Sequence, residues 1–360
     1  MSQILKNLQV VTQSFTGTPE AGTGVIYASG SKMYFKNTTG SVFPLGGPGY
    51  IRVLEYTGSN PGGGTLTYTW DKPENIKYIQ VICVGAGGGG GSGAVGGGNR
   101  FSGGGGGGGG AIAWGFFDRK NLTQPNYTIS VGAGGAGGGL SAFGGSATPD
   151  PGQAGSAGRY TTFGNTMVSA SGGSGGSRGA NLTLATGGVG GLATACLPGP
   201  GFATPGGTGA TSIFNDANDT APTNFFTTPL TPIGTAGGGS GAHIYNLSGL
   251  FSFTGSLGAS GFEWNTLKSN NTAYYNSGSD DLVTAAVLLQ FTSSIFTTTY
   301  GLGGGGNGGD NASIQVPGGD GGLYGAGGGG SNARLATVIG QQNQVGGSGS
   351  SGLCIVVEYY

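Results

Sequence analysis

The feature that most constrains this chain is a series of glycine runs that begins at Gly85. The longest, Gly103–Gly110, is unbroken. Others occupy Gly134–Gly139, Gly172–Gly176, Gly187–Gly191, Gly237–Gly241, Gly303–Gly309, Gly318–Gly322 and Gly327–Gly330. Many read Gly-Gly-X, as in GGSGGSRG, GGVGGL, GGNGGDN and GGDGGLYG. A repeat of three matches the three residues per turn of a polyproline-II-type helix. It matches neither the 3.6-residue period of an α-helix nor the alternation of a strand. No Gly-X-Y repeat is sustained and Pro is sparse, which excludes collagen. Such an extended helix has no internal hydrogen bonds, so its amides must find partners outside it. Glycine removes the side chain that would hold those neighbours apart, and its Cα–H groups can meet carbonyls as well. Each ordered glycine also loses more backbone entropy than any other residue. A lone run is therefore floppy, and the expectation is a cooperative bundle. The Gly103–Gly110 run at ~3.1 Å per residue makes a rod of roughly 25 Å.

Composition sharpens this reading. With 88 Gly and 15 Pro in 360 residues, the prior is low-complexity or disordered chain. Disordered chains are charged and poor in aromatics, whereas here charged residues are 8% and aromatics 10%. A net charge of −1 provides no basic field to gather phosphates, so no nucleic-acid partner is expected. Cys83, Cys196 and Cys354 are too few and too scattered for a disulfide framework or a zinc site. Cys83 and Cys354 sit inside hydrophobic strand patterns and read as buried free thiols. MSQILKNLQVVTQSF lacks an apolar run of signal-peptide length, and no stretch is long and apolar enough to span a bilayer. The expectation is a soluble product of a cytoplasm, without membrane insertion.

Residues 1–48 are not glycine-dominated. Val25–Ala28, Lys32–Lys36 and Ser41–Leu45 read as short strands separated by turn chemistry. They predict a small β-meander that leans on copies of itself or on another protein. Residues 49–360 form the second unit. Its strand candidates are Tyr50–Thr57, Leu66–Trp70, Lys77–Val84, Gly110–Phe117, Tyr127–Val131 and Leu353–Tyr360. The last is expected to lie beside Lys77–Val84, in a sheet at one end of the bundle. Two stretches depart from the glycine pattern and read as aromatic-rich inserts, 192–235 and 243–300. Within the second, Asp280–Phe291 reads as a helix capped by Ser279, with its Val and Thr content leaving a strand open. The fold class expected is mainly β and irregular: a meander, then strands bracketing polyglycine-II-like helices, with almost no α-helix.

Three passages carry a family resemblance. TYTWDKPENIKYIQVICVGAGGGGGSG resembles the opening of the glycine-rich domain of phage tail-fibre and receptor-binding proteins. Its Trp70, Pro73 and Val84–Gly91 match a Trp-x-x-Pro turn, a hydrophobic strand and a Val-Gly-x-Gly-Gly run. Tyr127–Gly139 with Ser141–Gly145 resembles the family's second signature, and GSSGLCIVVEYY its closing strand. The likeness covers about Leu66–Tyr360. VIYASGSKMYFKNTTGSVFPL resembles, more loosely, short attachment modules near the N-termini of phage fibres. The resemblance implies a virion location and a homotrimer. It further implies docking to other virion proteins through residues 1–48, and attachment to a host surface protein or polysaccharide. In related adhesins variable tip loops contact the receptor, and these have no motif to carry over.

The remaining motifs are weak. GGSGG around Ser174 matches a nucleophile-elbow pattern, but that needs a strand-turn-helix and a His partner. His243 is the sole histidine. No Gly-Lys dipeptide exists, so a P-loop is excluded. Asp280-Asp281 suits a helix N-terminus better than a glycosidase pair. Asp310 and Asp320 read as solvated turn residues rather than calcium ligands. No catalytic residue, metal or cofactor is expected. The receptor-contact candidates are the insert aromatics Phe225, Phe226, Trp264, Tyr274 and Tyr275, since aromatics anchor interfaces and stack on sugars. Their rival role is a satellite core. The function expected is a tail-fibre or adhesin subunit. The alternatives are a capsid head fibre or decoration protein without a receptor role and, less favoured, an ice-binding protein or an enzyme.

Overall fold

A computed structural model describes residues 10–11, 24–29, 32–37, 42–44, 51–59, 61–97, 100–146, 148–181, 183–194, 201–212, 235, 237–238, 240–241, 244–245, 251–252, 262–263, 266–267, 286–289, 300–302 and 316–360. These residues are mainly strand and irregular backbone. They contain no α-helix, and their one 3-10 turn is Arg119–Asn121. In the N-terminal part, Gly24–Ser29, Lys32–Asn37 and Val42–Pro44 form the expected antiparallel meander. Val10–Val11 adds a parallel edge.

Two five-stranded antiparallel sheets follow. The first runs in the order Gly201–Thr204, Ile112–Asp118, Tyr78–Val84, Leu353–Tyr359, Ile51–Thr57. The second runs Ala193–Thr194, Val168–Ala170, Thr161–Phe163, Asn126–Val131, Leu66–Asp71. Alternation along Tyr78–Val84 sends Ile79, Val81 and Cys83 to one face and Ile82 and Val84 to the other. The first set joins Phe117, Val356, Trp70, Tyr127, Ile129 and Phe163 in the core between the sheets. The second set joins Ile112, Leu353, Ile355 and Val357 in a buried cluster on the opposite face. Burial on both faces explains why the strand reads as a continuous apolar run. The closing strand pairs with it as expected, from Leu353 opposite Val84 to Tyr359 opposite Tyr78.

Strands of both sheets run directly into glycine segments. Tyr78–Val84 continues into 85–95, Asn126–Val131 into 132–139, and Val168–Ala170 into 171–179. Segments 103–111 and 346–352 return into Ile112–Asp118 and Leu353–Tyr359. Segment 85–95 shows how the bundle is bonded. The amides of Gly85, Gly88 and Gly91 donate to the carbonyls of Ala111, Gly108 and Gly105 at 2.8 Å. Those of Ala86, Gly89, Ser92 and Val95 donate to Arg159, Ser156, Gln153 and Asp150. Those of Gly87 and Gly90 donate to Ser350 and Gly347. The same neighbour recurs every third residue, which is the threefold period of a polyproline-II-type helix.

Carbonyls follow the same rule toward the parallel neighbours. Gly87 and Gly90 accept from Gly135 and Gly138; Ala86, Gly89 and Ser92 accept from Gly173, Gly176 and Gly179; and Gly88 and Gly91 accept from Gly328 and Ser331. Segment 85–95 is thus ringed by antiparallel segments 103–111, 150–159 and 346–352 and by parallel segments 132–139, 171–179 and 326–334. Adjacent members of this ring also bond to each other: Ser156 to Ala136, Gly155 to Gly176, Gly105 to Ser177, Gly104 to Ser331, Gly347 to Gly329 and Gly346 to Gly138. The packing is hexagonal. It extends around segment 103–111, which also bonds to 186–192, 206–212 and the described residues of 235–241.

Glycine is required where segments touch. A Cβ on Gly88 would lie 2.1 Å from Ser174 O, and one on Gly107 would lie 2.1 Å from Gly88 O. Larger side chains recur where a segment faces outward, as Gln153, Ser156 and Arg159 do every third residue, while small ones such as Ala86 and Ser92 are accommodated inside the bundle. This accounts for the Gly-Gly-X text.

Two sequence expectations change. Residues 193–194 and 201–212, within the stretch read as the first insert, belong to the body. Gly201–Thr204 pairs with Ile112–Gly115, and Gly206 and Gly209 donate to Gly191 and Gly188. The Pro and Thr content of this stretch masks its period of three. Within Asp280–Phe291, Ala286–Leu289 is a strand paired with Tyr300–Leu302, in line with its β-branched content. The rest of that stretch lies outside the described residues.

Candidate functional site

The bundle has two unlike ends. The chain enters the body at Ile51, opposite Tyr359 and therefore at the sandwich end. At the other end, segments 85–95, 132–139, 171–179 and 326–334 leave the bundle and turn. Their described loops form the candidate site.

Two of these loops are tied together. Val95 and Asp150 exchange backbone hydrogen bonds at 3.0 and 2.8 Å, closing the top of the bundle. Arg334–Leu335 pairs in parallel with Val95–Gly96. Beyond it, Phe143 N–H donates to Gln341 O at 2.8 Å, and Gly340 N–H donates to Phe143 O at 2.8 Å. The Asn343 amide spans both elements: its Oδ1 accepts from Ser141 N–H at 2.6 Å and its Nδ2 donates to Gly93 O. Gln341 Oε1 accepts from the Thr337 and Val338 amides, holding the turn before Gly340. Gly340 and Gly145 have φ of +86° and +85°, which glycine adopts without Cβ strain. Phe143 is buried against Val95 and Ala336 and pins its loop to the bundle.

This framework holds apolar side chains in the open. Ile339 is 72% exposed, Val338 61% and Leu140 48%. Ile339 lies over Gly145, where a Cβ would meet its Cδ1 at 2.8 Å. The charged groups around them are committed locally. Asp150 Oδ2 accepts from Gly144 N–H at 2.6 Å, and the Arg334 guanidinium donates to Gln342 O. Among the described residues no group of His, Cys, Asp and Glu is arranged to hold a metal ion. No helix of the described residues is long and apolar enough to cross a membrane. Exposed apolar side chains on a rigid frame suit binding, because little ordering is left to be done on contact.

Phe225, Phe226, Trp264, Tyr274 and Tyr275 lie outside the described residues, as does His243. Ser174 sits on an extended glycine segment with its amide bonded to Val189 O, not on an elbow leading into a helix. Asp320 Oδ1 accepts from the Ser348 amide, so it caps a neighbouring segment. Leu140, Val338 and Ile339 were not singled out by sequence reasoning. A signal existed: Val338-Ile339 is an apolar pair at a turn before Gly340, where polar residues are the norm.

A family model for a glycine-rich domain matches residues 63–360. No curated protein matches the chain.

Proposed function

Because the chain belongs to the glycine-rich domain family over residues 63–360, we propose that it is a virion fibre or adhesin subunit that attaches the particle to a host cell surface. The carrying observation is the polarity of the body. The chain enters at the sandwich end, beside Tyr359, while Leu140, Val338 and Ile339 are held exposed at the opposite end. Between them the glycine bundle is a spacer of roughly 30 Å, at ~3.1 Å per residue along 85–95. Its amides are bonded between segments, so it resists bending.

In this reading residues 1–48 dock to other virion proteins and the loop end meets a surface protein or polysaccharide. Three copies per fibre multiply weak loop contacts by avidity. The test uses the purified full chain, labelled and titrated onto a panel of bacterial cells, with light scattering for its copy number. Saturable binding that Ile339→Asp removes supports the reading. Binding to no cell type overturns the receptor role, and binding indifferent to the loop substitution overturns the placing of the contact at the loop end. A monomer by light scattering overturns the trimer.

A further inference from the structure

Cys83 and Cys354 face each other across adjacent antiparallel strands, directly in register. Their sulfurs are 3.8 Å apart, both thiols are free, and both residues are fully buried. The ladders on either side decide what kind of pair this is. Gly85 N–H donates to Ala111 O, one residue beyond the pair Val84–Ile112. Counting back two residues, the backbone groups of Cys83 therefore point to strand Ile112–Asp118. Gly58 N–H donates to Gly352 O, again one residue beyond a register pair, Thr57–Leu353. By the same count the backbone groups of Cys354 point to strand Ile51–Thr57. Neither cysteine spends its backbone bonds on the other, so they form a non-hydrogen-bonded pair. Such pairs bring the Cα atoms to about 4.5 Å, inside the ~4.4–6.8 Å window of disulfides.

We propose that Cys83 and Cys354 are a disulfide site, oxidised by a low-molecular-weight disulfide such as oxidised glutathione. One thiolate attacks the glutathione disulfide, forming a mixed disulfide and releasing one glutathione. The second protein thiolate then attacks the protein sulfur of that mixed disulfide, releasing the second glutathione. Two protein thiols lose their protons and two electrons, and one glutathione disulfide becomes two thiols. The bond joins the strand that leads into the bundle's central segment to the strand that closes the domain, residues 271 positions apart. A crosslink over so long a loop restrains the unfolded chain strongly. Burial, followed by the hydrogen bond to Cys354, pushes the Cys83 thiol well above its ordinary value. Attack needs the thiolate, so the bond forms during folding and only slowly once the strands have closed.

The test is thiol mapping of the full chain. One sample is refolded with oxidised glutathione and one with reduced glutathione. A third, already folded, is incubated with oxidised glutathione for days. Each is then denatured, alkylated and digested for mass spectrometry. The expected result is a crosslinked peptide pair containing Cys83 and Cys354 and alkylation at Cys196 alone. The pair forms within the refolding reaction, slowly in the folded sample, and is lost with dithiothreitol. The oxidised chain melts several degrees higher. Cys83→Ala and Cys354→Ala each abolish the pair. Alkylation of all three cysteines in both oxidised samples overturns the proposal, and so does a bond that contains Cys196. The wild-type map decides even if a variant fails to fold.

Discussion

Trp70 Nε1 donates a hydrogen bond of 2.7 Å to Glu358 Oε1, joining the first strand of one sheet to the last strand of the other. Glu358 is 1% exposed. Its other oxygen accepts from the Tyr360 hydroxyl at 2.7 Å and lies 3.7 Å from an Arg52 guanidinium nitrogen. A buried carboxylate is tolerated only when paired and hydrogen-bonded. This one is held from both ends of the domain. Trp70→Phe keeps an aromatic ring but removes the donor together with the pyrrole half of the indole, leaving a buried acceptor of a charged group unsatisfied beside a small void. We expect a loss of about 2 kcal/mol in urea unfolding. A change below about 0.5 kcal/mol, the level of an ordinary surface substitution, would show that the bond adds nothing.

The glycine bundle predicts a sharp positional contrast. In Gly107→Ala the new methyl would sit 2.1 Å from the Gly88 carbonyl oxygen. Backbone on both sides cannot move aside without breaking other bonds, so destabilisation should reach about 3 kcal/mol or more, the upper end for overpacking. Gly139 has nothing within 4 Å of the same position. Gly139→Ala should leave the melting temperature unchanged. Equal effects at the two sites would contradict the close-packed arrangement.

The loop end predicts binding without stability. Ile339→Asp and Val338→Ser alter side chains that are mostly in solvent, so unfolding curves should overlay those of the parent chain. If these residues anchor a receptor contact, cell binding should weaken about tenfold or more. Undiminished binding by both variants would move the contact elsewhere.

Alkaline pH tests the packed tyrosines. Burial, as the first cause in each case, raises the hydroxyls of Tyr56, Tyr324 and Tyr359 above their ordinary value of 10.0. The second cause is Cys354 for Tyr56, Glu55 for Tyr324 and Tyr78 for Tyr359. The folded chain therefore keeps protons that the unfolded chain has released. Their contribution to stability is complete below pH 10 and falls as pH rises through the folded values. Melting temperature should decline above pH 10, and phenolate absorbance should rise further on unfolding there. A flat profile between pH 9 and about 11, across the ordinary tyrosine value, would refute this.

Some of the architecture was legible from local text. Tyr78–Val84 and Leu353–Tyr359 read as strands because seven-residue apolar runs bounded by turn residues and glycine leave little else. The pairing of the two was legible because both are too apolar to be edges. Segment 206–212 was not recognised, because Pro and Thr around it outweighed its spacing. The loop-end residues Leu140, Val338 and Ile339 were passed over for aromatics, which carry more contact area per residue but say nothing of where they lie.

The sequence alone determined that this chain must be a bundle. In a folded body, a period of three without side chains satisfies its amides only through neighbouring segments. It also showed where large side chains recur every third residue, as Gln153, Ser156 and Arg159 do on the surface. Tertiary structure decided which segment neighbours which, that Cys83 meets Cys354, and that the chain's entry and its exposed loops lie at opposite ends. The reason is physical. Glycine segments are alike along their length and carry no side chains to choose a partner, so their order is imposed by the strands that anchor them and by the turns between.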